Sequence, residues 1–104
     1  MRKRLLKDAD HPDIADSLNN LGEDYQGLGD DLKANDFYLQ AFEMRKRLFK
    51  DADHPDIADS LIILSASYSR LGDDLKEKDF YLQAFEMRKR LFKDKFENVK
   101  KKSL

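Results

Sequence analysis

The sequence predicts an all-α protein made of stacked antiparallel helix pairs. Three observations carry that prediction. Met1, Met44 and Met87 each open a Met-Arg-Lys-Arg-Leu run, so the chain repeats with a fixed period of 43 residues, and a period of this size marks a stacked repeat array. Each copy holds two segments whose apolar residues recur at steps of three and four, the helical spacing. Very short Gly-Asp-Asp turns join the two segments, which forces neighbouring helices antiparallel.

The first helix, A, starts at His11-Pro12-Asp13. Proline suits the first helical turn, where its missing N–H costs nothing, and Asp13 and Asp16 sit near the positive end of the helix dipole. Ile14, Leu18, Leu21, Tyr25 and Leu28 form one apolar stripe. Gly29 closes the helix and Asp30-Asp31 opens the next. This reading places helix A at roughly 12–28 and its copy at roughly 55–71. Helix B carries Ala34, Phe37, Tyr38, Ala41, Phe42, Leu48 and Phe49 on its apolar face. Arg45, Lys46, Arg47 and Lys50 crowd its last turns, where cations suit the dipole. Pro55 keeps His54 out of helical conformation and starts the next copy.

The ends break the pattern. Met1 to Lys7 matches the tail of a helix B, so residues 1–10 read as a truncated helix B. Residues 11–50 and 54–94 read as repeats 1 and 2, and 95–104 as a helical extension or tail of one repeat domain spanning 1–104. No proline follows Asp94, and Phe92, Phe96 and Val99 step by four and three. The last helix is therefore expected to run toward Lys101 and to cap the second repeat.

Composition narrows the function classes. The net charge of −1 gives no global attraction to nucleic acid or an anionic membrane. The chain has no cysteine, so it has no disulfide framework and no thiolate metal site, which fits a reducing, cytoplasmic setting. No apolar run approaches the about 18 residues of a membrane span. No Ser/His/acid or Cys/His set and no Gly-rich phosphate loop appears, so the chain reads as non-enzymatic and without cofactor or metal. Asp8, Asp10, His11 and Asp13 lack the spacing of a metal cage and read as a helix-start acid cluster.

Leu18, Leu21, Gly22 and Tyr25 on helix A, with Ala34, Tyr38 and Ala41 on helix B, resemble the tetratricopeptide repeat. Leu61, Leu64, Tyr68, Tyr81 and Ala84 repeat the match. The long period and the His-Pro-Asp opening look like the variant found in kinesin light chains and many bacterial arrays. J-domain co-chaperones also carry His-Pro-Asp, but in an interhelical loop rather than once per repeat at a helix start. Two departures stand out. Ser65 replaces Gly22 and Glu77 replaces Ala34, so packing in the second copy is expected to loosen or shift.

The resemblance implies a protein-interaction scaffold whose A helices line a groove for a peptide or partner helix. The two copies differ at ten positions, and seven of these lie between Asn19 and Gly27. The expected groove residues are Asn19, Asn20 and Glu23 from the first copy and Ile62, Ile63, Ala66 and Arg70 from the second. Ile62 and Ile63 are expected either to stand exposed as an apolar contact site or to bury against the extended last helix or a second copy of the chain. Two rivals remain: a module that self-assembles into a homo-oligomer, and a nucleic-acid binder using an arginine ladder from the Arg-Lys-Arg triplets.

Overall fold

The computed structural model describes the backbone of residues 10–103 and the side chains of residues 10–93. Four helices follow one another: α1 (Pro12–Gly27), α2 (Asp31–Leu48), α3 (Pro55–Arg70) and α4 (Asp74–Ser103). Each packs on the next, α1 on α2, α2 on α3 and α3 on α4. The resulting slab measures 52 × 41 × 19 Å, two helix layers deep. The fold is thus the all-α stack of antiparallel helix pairs that the repeat implied. The expected stub at Met1 to Lys7 lies outside the described residues.

Local chemistry sets each boundary. His11 and His54 have extended backbones and act as N-caps. Their Nδ1 atoms accept hydrogen bonds from the backbone N–H of Asp13 and Asp56, each at 3.0 Å. Asp30 and Asp73 cap α2 and α4 in the same way, through Lys33 and Lys76. Leu28 and Leu71 fall just outside their helices as C-caps. Gly29 follows with φ +86°, and the N–H of Asp30 reaches back to the Tyr25 carbonyl at 2.9 Å, completing a Schellman turn.

The end of α2 makes the same turn without glycine. Lys50 and Asp51 have φ of 53° and 60°, and the Asp51 N–H donates to the Lys46 carbonyl. A side chain in this left-handed region is strained. Lys50→Gly is therefore expected to raise stability by about 1 kcal/mol, measured as an increased urea midpoint with unchanged slope. No gain would mean that Lys50 is not strained there. In α4 the matching residue, Lys93, lies inside the helix, which continues through Ser103. Phe92 is largely exposed, and the side chains of Phe96 and Val99 lie outside the described residues.

The core sits between α2 and α3. Tyr38, Phe42 and Ala34 of α2 pack with Ile57, Leu61 and Leu64 of α3, and Ala84 of α4 completes the cluster. Tyr25 stacks on Phe37 and Tyr68 on Phe80, with ring centroids 5.5 and 5.4 Å apart, one stack per repeat. Burial does not follow sequence identity. Leu64 is 0% exposed and its copy Leu21 is 41% exposed. Tyr38 is 3% exposed and its copy Tyr81 is 57% exposed. Equal residues differ because α2 and α3 each have helices on both sides.

Gly22 and Ser65 differ in the room they leave for the tyrosine of the following helix. A Cβ on Gly22 would lie 2.5 Å from Cε1 of Tyr38, so only glycine lets that ring lie flat against α1. At Ser65 the Cβ is present, and its Oγ donates to the Glu77 carbonyl at 2.9 Å. Tyr81 stands out in solvent. The shift in packing expected of the second copy takes this form. Gly22→Ala gains about 1 kcal/mol of helix propensity but forces a buried ring aside. We expect a net loss of about 1–2 kcal/mol in denaturant unfolding; a gain would show that Tyr38 relocates freely.

Candidate functional site

The open face of helix A is the surface where the two copies differ most usefully. Each helical residue advances about 100°, so positions 20, 23 and 27 of α1 and 63, 66 and 70 of α3 form matching lines. Asn20, Glu23 and Gly27 are all exposed on α1. Ala66 and Arg70 are exposed on α3, with Ile63 half-buried at the head of the line. The first line is polar, and the second begins apolar and ends in a cation.

Two expected residues sit deeper than the sequence suggested. Ile62 and Ile63 are half-buried and pack against the central cluster rather than standing fully exposed. Both lie off the core stripe of α3 and share their surface between core and solvent. Asn19 is buried, 8% exposed, and its side-chain oxygen has no hydrogen-bond partner among the described residues. It takes the position in α1 that Ile62 takes in α3. Asn19 therefore underlies the groove, while Asn20 and Glu23 face solvent.

Tyr38, which sequence reasoning assigned to the core, lies buried beside Gly22 and Gln26 of α1. Its hydroxyl donates to Gln26 Oε1 at 3.3 Å. Burial raises the pKa of this phenol, Glu23 adds to the rise, and Arg70 opposes it. An acid of α1 and a cation of α3 thus influence one hydroxyl in opposite senses. Arg70 also donates from Nε to Asp31 Oδ1 at 3.0 Å, tying α3 to the start of α2. Nothing in the local sequence around Tyr38 marks it as shared between two repeats.

Near the N-terminal turns of α1 and α3, Arg45 joins three helices. Its Nη2 donates to Asp16 of α1 at 2.9 Å, and its Nη1 donates to the Asp56 carbonyl at 3.0 Å and to Ser60 Oγ at 2.9 Å on α3. Its side chain is only 10% exposed. Arg47 grips Asp10 with two bonds of 2.7 and 3.0 Å, and Arg90 grips Asp53 at 2.7 and 2.9 Å. Arg88 pairs with Asp59 at 3.4 Å. Every arginine of the two described triplets is thus paired with an aspartate, which argues against an arginine ladder for phosphates. Asp10 and His11 do not converge on a metal position either, since one binds Arg47 and the other caps α1. The Asp–Arg staples are not among the residues that the repeat pattern marks. Their signal is the separation of 37 residues, repeated at both sites.

These staples predict an acid response. The hydrogen bond from Arg47 holds the Asp10 carboxyl below its ordinary value of 3.8, with burial opposing and the arginine charge assisting. Arg90 does the same for Asp53. A depressed folded-state pKa gives stability that is present above the unfolded value and lost as pH falls through the folded one. The contribution should therefore hold above about pH 5 and fade below about pH 4. Thermal melts from pH 6 to pH 2 should fall less steeply for Asp10→Asn/Asp53→Asn than for the natural chain. Equal slopes would remove the staples from the account.

Two equivalent hollows of about 270 Å3 open between the helices of each pair, one edged by Leu18, Met44 and Arg47 and the other by Leu61, Met87 and Arg90. They include none of the seven expected groove residues. Among the described residues no helix is long and apolar enough to cross a membrane. A family model described as tetratricopeptide repeat matches residues 13–90. Comparison with curated proteins returns no match.

Proposed function

We propose that this chain, which belongs to the tetratricopeptide repeat family, is a non-enzymatic scaffold that takes a protein segment in the groove between α1 and α3. Repeats of this family generally mediate protein–protein interaction and are generally non-catalytic. The observation that carries the reading is the line of differences at 20/63, 23/66 and 27/70. Three of the seven differences between Asn19 and Gly27 lie along this one side of helix A, exposed except at the half-buried Ile63. Asn20 and Glu23 would meet polar groups of the partner, and Ile63 with Ala66 an apolar anchor, as in recognition of a segment laid along a groove. Arg70 would hold an acid at the edge. Ile62 supports the apolar side from its margin, and Asn19 supports the polar side from below.

The 43-residue period and the His-Pro-Asp openings support the long-repeat form seen in kinesin light chains. Under this reading residues 11–50 and 54–94 are the two repeats, and a cysteine-free surface of mixed charge suits the cytoplasm.

The test is a displayed random-peptide library selected on the full chain. A selected peptide should carry an apolar anchor, and its binding should weaken at least about tenfold on Ile63→Asn/Ala66→Glu/Arg70→Gly, which gives α3 the line of α1. Circular dichroism confirms the fold of the variant. Recovery of no peptide, or unchanged binding to the folded variant, would overturn the groove.

A further inference from the structure

The repeat leaves two faces that match each other. On α4, Tyr81 and Phe85 are 57% and 53% exposed, although their copies Tyr38 and Phe42 are buried against α3. On α1, Ile14 and Leu21 are exposed, although their copies Ile57 and Leu64 are buried against α2. The two open faces are thus the two halves of the α2–α3 interface, each displaced by one period.

We propose that α4 of one chain docks on α1 of a second copy, head to tail, repeating the internal α2–α3 contact between molecules. Most of the apolar residues carry over: Tyr81 and Phe85 stand for Tyr38 and Phe42, and Ile14, Leu18 and Leu21 for Ile57, Leu61 and Leu64, whereas Glu77 stands for Ala34, Asn20 for Ile63, and Ser65 for the Gly22 beside the ring. The buried arginine carries over too. Arg88 already holds Asp59 as Arg45 holds Asp16, but its side chain is 56% exposed. Docking brings it the Asp13 carbonyl and the Ser17 hydroxyl of the second copy, in place of Asp56 and Ser60.

The interface differs at one informative pair. Inside the chain, Asn35 Nδ2 of α2 donates to Ser67 Oγ of α3 at 3.0 Å. One period on, these positions are Lys78 and, on the second copy, Asp24. A neutral hydrogen bond within the chain becomes an opposite-charge pair between chains. Lys78 and Asp24 are both exposed in the single chain. One internal contact has no counterpart, because Gly27 stands where Arg70 reaches Asp31.

Such a contact joins unlike faces, so each added copy exposes a fresh pair, and growth is open-ended unless the rotation closes a ring. The rival occupant of the α1 face is the chain's own Met1–Lys7, whose sequence copies Met44–Lys50 except at Leu6.

Sedimentation velocity of the full chain, from low to high micromolar, decides the matter. The expected result is a concentration-dependent mass that passes beyond dimer. Lys78→Glu or Asp24→Lys should each weaken assembly about tenfold or more, by setting like charges face to face. The double variant should restore it, and Tyr81→Ser/Phe85→Ser should abolish it. A strictly monomeric chain, a dimer that grows no further, or single charge reversals without effect would overturn the proposal. The groove variant Ile63→Asn/Ala66→Glu/Arg70→Gly should assemble normally, which separates this surface from the groove.

Discussion

Leu64→Ala should destabilise the chain by about 3–4 kcal/mol, and Leu21→Ala by less than about 1 kcal/mol, measured in dilute solution. The two leucines occupy the same position of helix A one period apart. Leu64 is fully buried between α2 and α4, so truncation removes its transfer energy and leaves a cavity. Leu21 is 41% exposed and, among the described residues, has a helix on one side only. Urea unfolding of both variants at one dilution gives the comparison. Equal losses would mean that the α1 face is as enclosed as the α3 face.

Arg45→Ala should cost about 2–4 kcal/mol, whereas Arg88→Ala should cost about 1 kcal/mol or less. Removing Arg45 breaks three hydrogen bonds and leaves the buried Ser60 Oγ without its partner, while the part-buried Asp56 carbonyl keeps only its helical bond. It also deletes a long aliphatic stem from the junction of three helices. Asp16 is left in reach of water, since its side chain is 63% exposed, so the loss stays below that of an enclosed ion pair. Arg88 has a single bond to Asp59 with both partners exposed. If both variants melt alike, the link between α1, α2 and α3 through Arg45 carries no weight.

Local chemistry made most of the fold legible. Proline after histidine, Gly29 and the paired aspartates mark helix ends because they act within a few residues, and the helix ends they mark fall within two residues of them. The histidine caps were not legible in that way, because histidine is not a usual N-cap and reveals itself only through the Nδ1 bond. Burial was legible only in part. Identical apolar stripes in the two copies say nothing about which copy has neighbours on both sides. Ile62, Ile63 and Asn19 looked like surface because they lie off the stripe, yet flanking helices cover much of each. The surroundings of the Tyr38 hydroxyl escaped notice because residues from two repeats influence it at once.

The measurement that tests the groove most directly is a 15N chemical-shift map of the full chain titrated with a library-selected peptide. Shifts concentrated at Asn20, Glu23, Ile63, Ala66 and Arg70 are the predicted result. Shifts confined to the α4 face around Tyr81 and Phe85, or spread over the chain without focus, would contradict it.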